Sequence, residues 1–134
     1  MNQRLSGKVV IVSGGTRGMG EAVVRGIVAA GGQVVLGGRD VDRGEDIAAS
    51  LVSRGRFVQL DVAREDDWRS VVRTAINEFG GIDGLVNMAG LMGRNPIGET
   101  SLDLIASLAA TNQSAVLLGM KHVLPAMKAA GGGS

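Results

Sequence analysis

The chain has 134 residues, enough for one domain that, if compact, buries roughly two-thirds of its unfolded surface. Fourteen Lys+Arg against thirteen Asp+Glu give a net charge of +1, with the basic residues scattered, so nucleic acid is not an expected partner. With no Cys and one His there is no disulfide framework, no thiol nucleophile and no His/Cys metal set. Hydrophobic residues make up 45% but aromatics only 2%, and 22 residues are Gly, so the core must be Val, Leu, Ile, Ala and Met packed close to backbone. That is the palette of a parallel α/β sheet. Four consecutive apolar residues precede the first glycine turn and no apolar run reaches membrane-spanning length, so a cytoplasmic protein without a membrane partner is expected.

The first element is a β-branched run, Val9 to Val12, followed by the turn Ser13-Gly14-Gly15-Thr16-Arg17-Gly18-Met19-Gly20. Met19, Val23, Ile27 and Ala30 then recur at helical spacing, giving strand, glycine turn, helix. Gly31-Gly32 stops that helix, and Gln33 to Gly37 reads as a second buried strand with Gly38-Arg39-Asp40 at its carboxyl end. Asp42 and Glu45 have capping-box spacing for a helix carrying Ile47, Ala48 and Leu51 and ending near Gly55. Phe57 to Leu60 is a third strand, closing on Asp61-Val62.

Trp68, Val72, Ala75 and Phe79 share the stripe of the next helix; Glu65, Asp66 and Asp67 suit its positive end, and Gly80-Gly81 stops it. Ile82 to Asn87 is a fourth strand, leading into Met88-Ala89-Gly90 and a loop through Pro96 and Gly98. Thr100 and Ser101 are candidate caps of a long helix with Ile105, Leu108, Asn112, Ala115 and Val116 on its buried stripe, and Pro125 is expected to kink or end it. The alternation predicts right-handed βαβ units, a Rossmann-type parallel sheet of four strands covered by helices on both faces. Ligands of such sheets bind at the carboxyl ends of the strands, where the glycine turn, Gly38-Arg39, Asp61-Val62 and Asn87 to Gly90 all fall.

A helix N-terminus presents unpaired N–H groups, and glycines let a diphosphate approach the backbone. Gly15 and Gly20 have the outer spacing of a P-loop, but Glu21 and Ala22 stand where Lys and Ser/Thr are required, which rejects a nucleoside triphosphate site. The G-x-G-x-x-G dinucleotide pattern is also absent. The pattern present is Gly14-x-x-x-Gly18-x-Gly20 preceded by Ser13.

On these residues the chain resembles the nucleotide-binding half of the short-chain dehydrogenase/reductase family, whose T-G-x-x-x-G-x-G turn it matches with Ser13 for Thr. The resemblance spans essentially the whole chain. It implies that Asp61-Val62 contacts adenine, that Asn87-Met88-Ala89-Gly90 corresponds to the family's N-N-A-G motif, and that Asn112 is the helix asparagine of its catalytic tetrad, holding a water in a proton relay. The turn and the run Gly119 to Pro125 are most similar to hydroxysteroid dehydrogenase-like and 3-oxoacyl-carrier-protein reductase-like members. The implied cofactor-binding set is Ser13, Gly14, Thr16, Arg17, Gly18, Met19, Gly20, Arg39, Asp61, Val62, Asn87, Ala89 and Gly90, with Asn112 catalytic and no metal.

Each residue also has an ordinary structural reading. Asp61 suits a strand end, Asn87 can satisfy backbone groups, Met88 cannot donate as the motif's second Asn does, and Asn112 can be a buried amide that kinks a helix. No role is assigned to His122. An acid at the end of the second strand would accept the ribose 2′-OH and repel a 2′-phosphate; here that position is Gly38, with Arg39 next and Arg17 in the turn. Two guanidinium groups match a 2′-phosphate, so NADP is expected in preference to NAD, the alternative being that both are solvated arginines, with Asp40 or Asp42 near enough to pair with Arg39.

The chain contains no Tyr, and the family's Ser and Tyr-x-x-x-Lys are not in it, so this chain by itself is expected to be inactive. Gly131-Gly132-Gly133-Ser134 reads either as a linker or as the family's turn into a fifth strand. The second reading makes residues 1–134 the NAD(P)-binding domain of a longer NADP-dependent oxidoreductase that interconverts a small secondary alcohol and a ketone, as a homo-oligomer. It leaves Leu85 and Val86 on an uncovered sheet edge. The alternative is a non-catalytic dinucleotide-binding or interaction module ending near residue 134.

Overall fold

The sheet is built outward from its most apolar strand. In the computed structural model, which describes residues 3–134, β1 (Val9–Ser13) is buried at every position and lies between β2 (Gln33–Gly38) and β4 (Gly84–Asn87). β3 (Gly55–Gln59) lies outside β2, giving the order β3-β2-β1-β4 with every pairing parallel. Gln33 lies opposite Val9 and Ser13 opposite Asn87, so the ends of β1, β2 and β4 finish level with one another.

Alternate side chains of the strands enter two cores. Val10, Val12, Val34 and Leu36 meet Val24 and Ile27 of α1 (Gly18–Ala29) and Ile47 and Ala48 of α2 (Val41–Ser50). On the opposite face Val9, Ile11 and Val35 meet Trp68, Val71 and Ala75 of α3 (Glu65–Phe79) and Val123 and Met127 of α5 (Ala115–Ala129). Trp68 is fully buried and its indole N–H donates to the Val62 carbonyl at 2.9 Å, so the one large aromatic carries no unpaired donor.

The four strands and the Rossmann-type layering agree with the sequence pattern, while several local expectations are corrected. β3 begins two residues earlier than Phe57, and β4 begins at Gly84 rather than Ile82. Asp40, not Asp42, caps α2 by accepting the Arg43 N–H, and the helix ends at Ser50 with a single 3-10 turn, Val52–Arg54, before β3. Val71 joins Trp68 and Ala75 as a fully buried residue of α3, with Val72 and Phe79 packed half-buried against the same core. Ser101 caps α4 (Leu102–Ala109) by accepting the Leu104 N–H, while the Thr100 hydroxyl donates to the Pro96 carbonyl.

A π turn, Ala110–Ser114, joins α4 to α5, and the half-buried positions from Leu102 to Ser114 are Leu104, Leu108, Ala109, Ala110 and Thr111. Ile105 and Asn112 are exposed, one position off the expected stripe. Pro125 neither ends nor replaces the helix: it sits inside α5 on the exposed side, between the buried anchors Val123 and Met127. Leu102 to Ala129 is consequently one helical run, the long helix expected from sequence, and by length and composition alone it is long and apolar enough to cross a membrane. In this fold Ala115, Gly119, Val123 and Met127 are buried along it.

The edge of β4 is also less open than expected. Ser134 N–H donates to the Asp83 carbonyl at 3.0 Å and Leu85 N–H donates to the Ser134 carbonyl at 2.9 Å, so chain leaving α5 returns beside β4 and pairs with its start. Leu85 and Val86 are half-buried.

Candidate functional site

The level ends of β1, β2 and β4 leave a cleft of about 740 Å³. Its walls come from the glycine turn (Gly14, Thr16, Arg17), the end of β2 (Gly38, Arg39, Asp40), the residues after β3 (Leu60, Asp61, Val62), the residues after β4 (Met88 to Leu91) and Thr111 of the π turn.

Two glycines make the turn possible. Gly14 has φ +68°, and a Cβ there would lie 2.6 Å from the Ala89 nitrogen, so the turn and the loop after β4 touch backbone to backbone. A Cβ on Gly20 would lie 1.9 Å from the Gly14 carbonyl oxygen, which means α1 starts directly on the turn. The N-cap residue of α1, Arg17, makes no side-chain capping bond to the first N–H groups of the helix. Ser13 is buried beneath: its carbonyl accepts the Met88 N–H at 3.1 Å and its hydroxyl oxygen accepts the Ala89 N–H at 3.4 Å. The seam therefore uses the backbone of Met88, whose side chain packs half-buried on the α1/α2 core.

The first turn of α2 grips the glycine turn from outside. Arg43 Nε donates to the Thr16 carbonyl at 2.5 Å, and its Nη2 pairs with Glu21, which also pairs with Arg25. Arg25 and Arg43 hold the Glu21 carboxyl below its ordinary value. Arg17 Nη2 donates to Asp40 Oδ2 at 2.6 Å, while Asp40 Oδ1 accepts the Arg43 N–H at 3.2 Å. These contacts, Arg17 first, hold the Asp40 carboxyl below its ordinary value. The alternative pairing of Arg39 with Asp40 or Asp42 is not formed: Asp40 takes Arg17, and Arg39 is exposed with no partner among the described residues.

Asp61 Oδ1 accepts the Ala63 N–H at 3.0 Å in a local turn, and its own N–H is accepted by Asp67. Asn112 is exposed rather than buried on an apolar stripe; its Oδ1 accepts the Leu91 N–H at 2.8 Å and its Nδ2 donates to the Leu91 carbonyl at 2.9 Å. It thereby fixes the loop after β4 to the π turn.

Of the residues singled out from sequence, Gly14, Thr16, Arg17, Arg39, Asp61, Val62, Ala89 and Gly90 line the cleft. Ser13 and Asn87 end their strands behind it, Gly18, Met19 and Gly20 start α1, and Asn112 stands behind Leu91. The cleft adds Gly38, Asp40, Leu60, Met88, Leu91 and Thr111, each adjacent in sequence to an expected residue. Among the described residues no His, Asp and Glu cluster is arranged to hold a metal ion.

Comparison with known proteins gives a consistent picture. A family model described as short chain dehydrogenase matches residues 8–134. The chain is 42% identical over 134 residues to a 3-alpha-(or 20-beta)-hydroxysteroid dehydrogenase of Mycobacterium tuberculosis, covering 100% of this chain and 52% of that protein. It is 33% identical over 132 residues to a 3-beta-hydroxysteroid dehydrogenase of Comamonas testosteroni, covering 98% and 52%. The crystal structure of a short-chain dehydrogenase/reductase from Brucella melitensis superposes with a TM-score of 0.89 at 30% identity, over 94% of this chain and 55% of that one. The chain thus spans about half the length of these relatives. With the strand order, the glycine turn and a match over nearly its whole length, the chain belongs to the short chain dehydrogenase family.

Proposed function

We propose that the chain is the cofactor-binding half of an NADP-dependent oxidoreductase that interconverts a small secondary alcohol and a ketone. The observation that carries the cofactor choice is the rim of the cleft at the end of β2: Gly38 stands where an acid would select the 2′-OH, with Arg39 unpaired beside it and Arg17 opposite in the turn. Positive φ at Gly14 and Gly18, open space at the missing Gly18 Cβ and an uncapped α1 suit a diphosphate, so the residues present fit a dinucleotide. Bound there, the nicotinamide would supply the hydride.

The chain's own residues supply binding and orientation. Gly14, Gly18, Met19 and Gly20 offer backbone to the diphosphate, with Ser13 and Thr16 setting the turn beneath it. Arg17 and Arg39 address the 2′-phosphate, Asp61 and Val62 the adenine, and Ala89 and Gly90 the ribose side of the cleft, with Asn87 anchoring their loop. Asn112 holds Leu91 and is the proposed relay asparagine. The hydroxysteroid dehydrogenases among the relatives support the alcohol–ketone class. The chain has no Tyr to donate the proton, so it is expected to bind cofactor without turnover. A cytoplasmic, homo-oligomeric longer protein with neither nucleic acid nor membrane as partner belongs to the same proposal.

Isothermal titration with NADPH and NADH tests the cofactor choice. NADPH is expected to bind more tightly, with Arg39→Asp removing that preference and leaving NADH binding in place; equal affinities in the unmutated chain refute it.

A further inference from the structure

Resting on the NADP reading above, we infer that Asp40 is a specificity-determining residue that acts by holding Arg17, so that a 2′-phosphate must compete with a carboxylate for one of its two arginines. The geometry separates two jobs within one side chain. Asp40 Oδ1 accepts the Arg43 N–H at 3.2 Å and starts α2; Asp40 Oδ2 accepts from Arg17 Nη2 at 2.6 Å. Only the second job opposes a ligand. Arg39 carries no such load, and the rim offers one free guanidinium and one already engaged.

The pair is built to yield. The Arg17 side chain is 75% exposed and that of Asp40 34%, so the contact is hydrated and worth little by itself. A phosphate near doubly charged gains more from a guanidinium than a single carboxylate does, and Arg17 can swing to it without unfolding anything. The turn stays fixed meanwhile, because Arg43 holds the Thr16 carbonyl independently of Arg17. NADH carries no 2′-phosphate and leaves the pair undisturbed. Asp40 therefore lowers NADPH affinity selectively, through its hold on Arg17.

Asp40→Asn tests this cleanly, because Asn caps helices as well as Asp does while its amide no longer holds Arg17 as an anion. Asp40→Ser is the second variant: it still caps, and it is too short to reach Arg17. Titration of both with NADPH and NADH is expected to show NADPH binding about two- to fivefold tighter with NADH unchanged. In an Arg17→Ala background, Asp40→Asn is expected to leave the NADPH/NADH ratio where Arg17→Ala alone puts it. Unchanged or weaker NADPH binding in both variants, a parallel change in NADH, or an undiminished effect in the Arg17→Ala background each overturns the inference. If instead the unmutated chain shows no NADPH preference and Arg39→Asp changes nothing, the NADP reading itself fails and carries this inference down with it.

Discussion

Two glycines of the same helix are expected to respond to the same substitution with opposite sign. A Cβ on Gly20 would sit 1.9 Å from the Gly14 carbonyl oxygen, where contacts under 3.0 Å are essentially never tolerated. The obstacle is backbone, so the turn and α1 must part by about 1 Å, an overpacking cost of roughly 2–3 kcal/mol. Gly26 is exposed near the middle of α1 with nothing within 4 Å of its missing Cβ and no positive φ. Gly26→Ala then gains helix propensity and loses unfolded-chain freedom, a stabilisation of about 0.5–1 kcal/mol. For a chain of 134 residues each kcal/mol corresponds to about 3–4 °C in Tm. Thermal melts followed by far-UV circular dichroism are expected to place Gly20→Ala roughly 7–10 °C below the parent and Gly26→Ala about 2–4 °C above it. The reasoning is refuted if Gly20→Ala melts at or above the parent temperature, or if Gly26→Ala falls as far as Gly20→Ala does.

Glu65, at the first position of α3, accepts from Lys121 Nζ at 2.5 Å and meets His122 Nε2 at 2.9 Å, which pins α3 to α5. Lys121, then His122, lower its pKa from 4.5 to about 2. A depressed carboxylate stabilises the fold above its unfolded pKa and loses that contribution as pH falls. Glu65→Gln is therefore expected to be less stable than the parent at pH 7, with the gap closing between about pH 4.5 and pH 2; urea melts showing a constant gap across that window contradict this assignment. Asn112→Ala removes both bonds to Leu91, a loss of about 1–2 kcal/mol confined to the loop. Hydrogen exchange is expected to show faster exchange of the Leu91 amide while the amide of Ile11 in β1 keeps its protection, and unchanged Leu91 exchange would show that the clamp does not order the loop.

The strands were legible because β1 and β2 are buried on both faces and so read as short unbroken apolar runs, Val9 to Val12 and Val34 to Leu36. The glycine turn was legible because its constraint is on the backbone itself, which Gly14 and Gly20 declare by residue type. What stayed hidden is set by groups far apart in sequence. Arg17 meets Asp40 across 23 residues and Asn112 meets Leu91 across 21, and neither spacing follows a local period. The cap of α2 was misplaced for a local reason: Asp40 and Asp42 both stand near the start, and the end of β2 at Gly38 decides in favour of Asp40. Of the two outcomes expected at Pro125, ending the helix does not occur: Pro125 lies on the exposed side of α5, while Val123 and Met127 keep the helix packed on the core.

The seam between β1 and the loop after β4 has a consequence for folding order. Ala89 reaches Ser13 across 76 residues of chain, whereas Val9 finds Gln33 in the strand that follows next, so closing the seam carries about 1 kcal/mol more loop-closure entropy. The β1/β2 pair closes a short loop, whereas the β1/β4 junction closes a longer one that contains α2, β3 and α3 in sequence. The floor of the cleft is made by that junction. A chain with the glycine turn formed but not the seam would hold one wall of the cleft without the other, so binding of the proposed nucleotide is expected to report closure of the β1/β4 junction rather than the β1/β2 pairing.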